Sequence, residues 1–248
     1  MVFIKTEKEI EIMRQGGKIL AKILDELEKK IKPGTNTFFL NEFAENLAAR
    51  FGAKPSFKGY KNYPASLCVS VNSEVVHGLP KQKILKEGDI VGLDFGLFYK
   101  GYYTDMAKTV GVGKISSLAK RLIFVTKKAL DLGIAQVRPG NHVGDISFAI
   151  QNYVESNGFS VVRDLVGHGV GRKVHEPPQV PNFGEKGKGI KLEKGMTLAI
   201  EPMVNAGKPE VRLLPDGWTF VTCDGSLSCH FEHTVAVTND GNEILTKI

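Results

Sequence analysis

Cysteine is scarce in this sequence, and the three present, Cys68, Cys223 and Cys229, cannot all pair. None stands in a C-x-x-C spacing, so neither a disulfide framework nor a cysteine-held zinc organises the chain, and the pattern suits a reducing compartment. Long apolar runs are missing as well: none approaches the roughly 20 residues that cross a bilayer. The amino terminus, MVFIKTEKEIEIMRQGGKIL, mixes acids and bases at helical spacing instead of supplying an apolar signal core. These absences predict a cytoplasmic protein with no membrane partner. The net charge is +6 over 248 residues, yet no run of five or more Lys and Arg occurs. That distribution describes a solvated basic surface, with at most a weak hint of nucleic acid or ribosome proximity. Nor does a Gly-, Ser- or Pro-rich linker divide the chain, which reads as one domain over residues 1–248.

What is present first is a hairpin. Residues Ile90 to Thr109, IVGLDFGLFYKGYYTDMAKT, are rich in β-branched and aromatic residues around the turn signal Lys100-Gly101. Folding about that turn is expected to set Asp94 and Asp105 roughly opposite each other on one face. Two like charges so close need something positive between them. Elsewhere, apolar periodicity predicts helices over 6–31, 36–51, 117–135 and 143–156, and a strand over 65–71.

The second half repeats the first. Lys32-Pro33-Gly34 and its helix to Gly52 correspond to Arg138-Pro139-Gly140 and the helix to Gly158. Glu87 to Asp94 aligns with Lys194 to Glu201, and Asp105 with the strand behind it aligns with Glu232 and its strand. Asp94 therefore has a counterpart in Glu201, and Asp105 in Glu232. The natural arrangement is two similar halves, approximately residues 1–113 and 114–248, whose sheets join where the four carboxylates converge.

Carboxylates gathered in a half-buried sheet require cations, because each unpaired buried charge costs several kcal/mol. Oxygen ligands suit divalent ions, and so acidic a site can hold two. A nitrogen ligand is offered by His168 in Gly167-His168-Gly169, whose flanking glycines permit close backbone approach. His175 follows seven residues later, and His77 stands before Gly78 in the first half. His233 follows Glu232 on a predicted strand and is expected to face away from the site.

Asp94, Asp105, His168, Glu201 and Glu232, set within VVHGLP, GHGVGRKVHEPPQVPNF, AIEPMV and FEHTVAVT, closely resemble the type I methionine aminopeptidases over essentially the whole chain. The resemblance implies an α+β, duplicated pseudo-twofold "pita-bread" (creatinase/aminopeptidase) fold, with a central curved antiparallel sheet covered by helices. The short gap between Glu201 and Glu232 excludes the helical insertion of type II enzymes, and no amino-terminal zinc-finger extension is read, as in the minimal bacterial form. The implied activity is removal of the initiator methionine from nascent peptides whose second residue is small, with water activated between two ions attacking the scissile bond. Asp94 would be a bidentate ligand of one ion, Asp105 and Glu232 would bridge, and His168 and Glu201 would complete the other. Glu201 would also be the general base, while His77 and His175 would hydrogen-bond substrate and tetrahedral intermediate.

By the same resemblance the methionine pocket is lined by Tyr60, Tyr63, Cys68, His77 and Trp218. The two divalent ions are drawn from Fe2+, Mn2+, Co2+ or Zn2+, a monovalent cation is expected near Asn72 and Ser228, and the chain is expected to be a monomer in transient contact with the ribosome. Val174 stands where an aromatic residue is common, which bears on the tightness of the pocket. His230 stands where glutamine is frequent and is expected to be peripheral. Two other readings share these features: a proline-directed peptidase of the same fold and ligand set, and a non-catalytic member that binds RNA or ribosomes. The compact chain and the VVHGLP loop favour the methionine enzyme over the first, and the intact ligand set argues against the second.

Overall fold

The computed structural model describes residues 2–248. Helix α1 (Glu7–Glu28) begins at a capping box in which Thr6 accepts from the Glu9 backbone N–H and the Glu9 carboxylate accepts from that of Thr6. Helix α2 (Thr37–Arg50) starts after Asn36, whose side chain accepts from the N–H of Phe38. Next come β1 (Lys54–Pro55), β2 (Cys68–Val71), β3 (Glu74–Val76) and the long pair β4 (Ile90–Tyr99) and β5 (Tyr102–Gly111). The strand expected from residue 65 pairs only from Cys68, because the Asn41 side-chain oxygen takes the N–H groups of Ser66 and Leu67. Helices α3 (Ser117–Ile134) and α4 (Val143–Ser156) follow, capped by Ser116 and by the Asp145 carboxylate on the His142 N–H. The remainder is strand: β6 (Ser160–Val161), β7 (Val166–Gly169), β8 (Glu176–Pro181), β9 (Thr197–Ile200), β10 (Met203–Asn205), β11 (Val211–Leu213), β12 (Phe220–Thr222), β13 (Ser228–His230), β14 (Glu232–Val237) and β15 (Asn242–Ile244).

The main sheet is antiparallel and runs β1-β4-β5-β14-β9-β7-β8, with β2 also on β4 and β15 on β14. Outward from the β5–β14 seam stand β4 then β2 on one side, and β9 then β7 on the other. Alternation decides which face is buried by helices. Val91, Leu93, Phe95 and Leu97 of β4 pack with Leu20, Leu24, Leu27 and Leu40 of α1 and α2. Leu198, Ile200, Val235 and Val237 pack with Leu122, Ile146 and Val154 of α3 and α4. Each such fully buried Leu, Ile or Phe contributes about 1.5–3 kcal/mol. The intervening residues, including Asp94 and Asp105, face the opposite side of the sheet.

The hairpin turn has two residues, with φ of 47° at Lys100 and 94° at Gly101, as a primed turn demands. Tyr99 thereby pairs with Tyr102, Asp94 with Ala107 and Gly96 with Asp105. The two aspartates are thus not opposite each other as expected but diagonal, offset by two residues. They share a face, because an offset of two preserves the side-chain alternation.

Candidate metal centre

A row of side chains crosses the sheet on the face away from the helices. Cys68 pairs with Asp94, Asp94 with Ala107, and Ala107 with Glu232. The pairing of His233 with Ile200 carries the same row on to Glu201. Asp105 lies two residues along β5 from Ala107, diagonal to both Asp94 and Glu232. The methyl of Ala107 is all that stands between those two carboxylates in the row. His168 pairs with Ala199 on β9 and so sits diagonal to Glu201. Its approach depends on its neighbours: a Cβ at Gly167 would lie 2.5 Å from the Ala199 carbonyl oxygen, and one at Gly169 would lie 2.3 Å from that of Pro177.

The side chains that converge are Asp105, His168 and Glu232, each offering a ligand atom within 4.8 Å of the other two, all three buried. Glu201 adjoins them with Oε1 3.5 Å from His168 Nε2. Asp94 Oδ1 and Glu232 Oε1 are buried with no hydrogen-bond partner. Burial pushes the Asp94 carboxyl up to about 7, with Glu201 adding to the rise and His230 opposing it. Burial likewise raises Glu201 to about 7 against the pull of His168. Asp105 and Glu232 are driven well above the usual carboxylate range, by burial first and then by their acidic neighbours. Orphaned, desolvated carboxylate oxygens beside an imidazole form a donor set that fits divalent cations, and cations would reverse these shifts.

Two further histidines flank the cluster. His77 takes a left-handed φ of 56° just after β3, with its ring edge-on to Phe220. Burial depresses its pKa to about 4, with His230, Lys61 and His168 acting in the same sense. His175 is exposed as a residue, but its ring is stacked on Tyr60 and lies 4.2 Å from that of His168, centre to centre. Its Nδ1 lies 2.9 Å from the Tyr60 hydroxyl. That enclosure, followed by the nearby His168, Lys61 and His77, lowers its pKa to about 3, so the ring is neutral. The loop presenting His175 is anchored by Glu176, whose carboxylate accepts from the backbone N–H groups of Arg172 and Lys173 and pairs with the buried Lys5 at 2.5 Å.

The carboxylates floor a cavity of about 190 Å³ whose walls include Tyr60, Tyr63, Cys68, His77, His175 and Trp218. Trp218 packs edge-on against Tyr63 at 5.2 Å, and Tyr63 donates to the Gly78 carbonyl. Val174 lies behind the wall, buried among Phe57, Tyr63, Ala65 and Cys68. Sequence reasoning did not find Phe57, Lys61, Val76, Leu165 and Met203, which also line the cavity. Met203 was within reach, since AIEPMV places it two residues past Glu201. Leu165 lies in a loop with no periodic signal. Asn72 and Ser228 are adjacent, with the Ser228 N–H donating to the Asn72 carbonyl. His233 faces away from the cluster, as expected, and its Nδ1 meets the Thr246 hydroxyl at 2.9 Å.

His230 is not peripheral. It is 3% exposed, and its Nε2 lies 3.5 Å from Oε2 of Glu201. The sequence did not reveal this, because His230 belongs to the separate strand β13, which pairs with β10 and not with the main sheet.

Comparison with known proteins extends these findings. A model of metallopeptidase family M24 matches residues 11–239. Over 248 residues, covering all of both chains, the sequence is 54% identical to a methionine aminopeptidase of Clostridium perfringens. The crystal structure of a methionine aminopeptidase from Thermotoga maritima superposes with a TM-score of 0.99 at 50% identity, again over 100% of each chain. A prolidase from Pyrococcus horikoshii matches with a TM-score of 0.79 at 26% identity, over 98% of this chain and 63% of that longer one. The expected pita-bread fold is therefore the fold observed, an antiparallel sheet backed by four helices. Because the match runs through every strand that carries the converging carboxylates and His168, the chain belongs to metallopeptidase family M24.

Proposed function

We propose that this M24 metallopeptidase is a methionyl aminopeptidase that removes the initiator methionine from nascent peptides whose second residue is small. The observation that carries the reading is the convergence of orphaned carboxylates and one imidazole at the floor of a cavity walled by Tyr60, Tyr63, Cys68 and Trp218. Asp94, Asp105 and Glu232 would hold one divalent ion, and Asp105, Glu232, His168 and Glu201 a second, drawn from Fe2+, Mn2+, Co2+ or Zn2+. When bound, such ions lower the pKa of water toward neutrality and polarise a carbonyl.

The residues do the rest. Glu201 accepts the proton of the attacking water and passes it toward the leaving amine. Neutral His77 and His175 flank the reacting peptide and donate hydrogen bonds to it, strongest where negative charge develops on the carbonyl oxygen. The acidic metal centre would read the free α-amino group, by coordination or by charge, which restricts cleavage to the first residue. Tyr63, Cys68 and Trp218 present an apolar wall to an unbranched thioether and exclude water around it.

The chain is read as one catalytic unit of two related halves, approximately 1–113 and 114–248. The outward order of strands from the β5–β14 seam supports this, as does the pair of helices behind each side. Its three cysteines are free thiols, which supports a cytoplasmic setting. Among the described residues no helix is long and apolar enough to cross a membrane. We also read it as a monomer in transient contact with the ribosome, with Asn72 and Ser228 beside a monovalent cation. Metal analysis of anaerobically purified protein tests the centre: about two divalent ions per chain support it, and full peptidase activity after exhaustive chelation sinks it.

A further inference from the structure

His230 stands on β13, paired with Met203 of β10. Its backbone is fixed by one hydroxyl: the His230 N–H donates to Thr109 Oγ at 3.0 Å, and the same hydroxyl donates to the His230 carbonyl at 2.8 Å. The main chain is held there, and the ring's Nε2 is buried without a hydrogen-bond partner. An orphaned buried donor costs about 1–3 kcal/mol, so its retention calls for a partner. That partner is at hand: Oε2 of Glu201 lies 3.5 Å away, while Oε1 of the same carboxylate faces His168 Nε2, also at 3.5 Å. Glu201 is bracketed by two imidazoles, one at each oxygen. His230 lies outside the tight set of Asp105, His168 and Glu232 and comes from β13, off the main sheet, so it meets Glu201 from beside the centre.

We propose that His230 is a positioning residue for the metal centre: its Nε2–H donates to Oε2 of Glu201 and leaves Oε1 turned toward the ion that Glu201 would share with His168. The inference rests on the metal-centre reading above. It is also a statement about chemistry. A neutral imidazole with its proton on Nε2 presents one donor to a carboxylate, and so does a glutamine amide of similar reach. A donor behind a ligating carboxylate fixes its orientation, and loss of such a partner weakens metal binding by roughly 10–100-fold.

The test is calorimetric titration of the full chain with Mn2+ and Co2+, together with the visible spectrum of the Co2+-loaded protein. His230→Leu is expected to weaken one of the binding events by roughly 10–100-fold and to move the Co2+ bands. His230→Gln is expected to restore most of both. A Leu variant that loads and absorbs like the parent overturns the proposal, as does a Gln variant no better than Leu. If the Leu variant fails to fold, nitrogen NMR of the Zn2+-loaded parent, labelled at histidine and assigned with the Gln variant, decides the matter. A protonated Nε2 at His230 supports the donor role, and an unprotonated one refutes it. A parent that takes up neither ion would sink the metal-centre reading itself, whereas normal loading by parent and Leu variant alike sinks only the role of His230.

Discussion

The hydroxyl of Thr234 accepts the backbone N–H of Asp105 and donates to the Asp105 carbonyl, each at 2.8 Å, so one side chain of β14 grips both polar groups of one residue of β5. This contact closes the seam between the two sides of the sheet at one of the converging carboxylates. Thr234→Val keeps the shape and removes both hydrogen bonds, leaving buried Asp105 groups without partners. It is expected to lower unfolding free energy by about 1–3 kcal/mol in chemical denaturation, and to weaken divalent-ion binding as well.

Removing a carboxylate from the convergent set separates two roles. Asp105→Ala or Glu232→Ala is expected to abolish turnover and paired metal binding, measured as metal per chain. His175→Ala removes a hydrogen-bond donor to the reacting carbonyl and is expected to lower turnover by roughly 10²–10³-fold with metals retained. A metal-free His175→Ala protein would refute that division.

The pair Lys5–Glu176 anchors the loop that presents His175 from the amino-terminal end of the chain, with both side chains almost wholly buried. Lys5→Met leaves the Glu176 charge without its partner and is expected to destabilise the fold by roughly 3–5 kcal/mol. Thermal or denaturant unfolding checks this. The double change Lys5→Met with Glu176→Gln should recover part of the loss, since no bare buried charge then remains.

Proton release reports the carboxylates directly. Asp94 and Glu201 hold folded pKa values near 7 against ordinary values of 3.8 and 4.5. In the metal-free protein their contribution to stability is present below those ordinary values and is lost as pH rises through about 7. Binding a cation must displace the retained protons, so calorimetry in buffers of different ionisation enthalpy should show release near about pH 6 that shrinks above about pH 7. Uptake that releases no protons near about pH 6 would mean these carboxyls are already ionised.

Much of this was legible in the sequence, for identifiable reasons. Helix α4 falls on its expected bounds because Gly140 and Gly158 punctuate it and its apolar period is unbroken. The repeat paired Asp94 with Glu201 because each stands six residues past a glycine, Gly88 or Gly195, and Asp105 with Glu232 because a similar strand follows each. The turn at Lys100-Gly101 is where it was expected, and its two-residue primed geometry places Gly96 opposite Asp105, which sets the two aspartates diagonal instead of roughly opposite. His230 was misjudged because nothing local reveals that β13 runs on β10 with its ring turned toward Glu201. Phe57 and Leu165 reach the cavity from loops, where neither period nor spacing carries information.

The central claim is tested most directly by offering the purified chain Met-Ala-Ser and Xaa-Pro peptides with Mn2+ or Co2+, before and after chelation. The expected result is release of methionine from Met-Ala-Ser, lost on chelation and restored by adding the ion back. Preferential cleavage at Xaa-Pro, or methionine release that survives removal of every divalent ion, would contradict it.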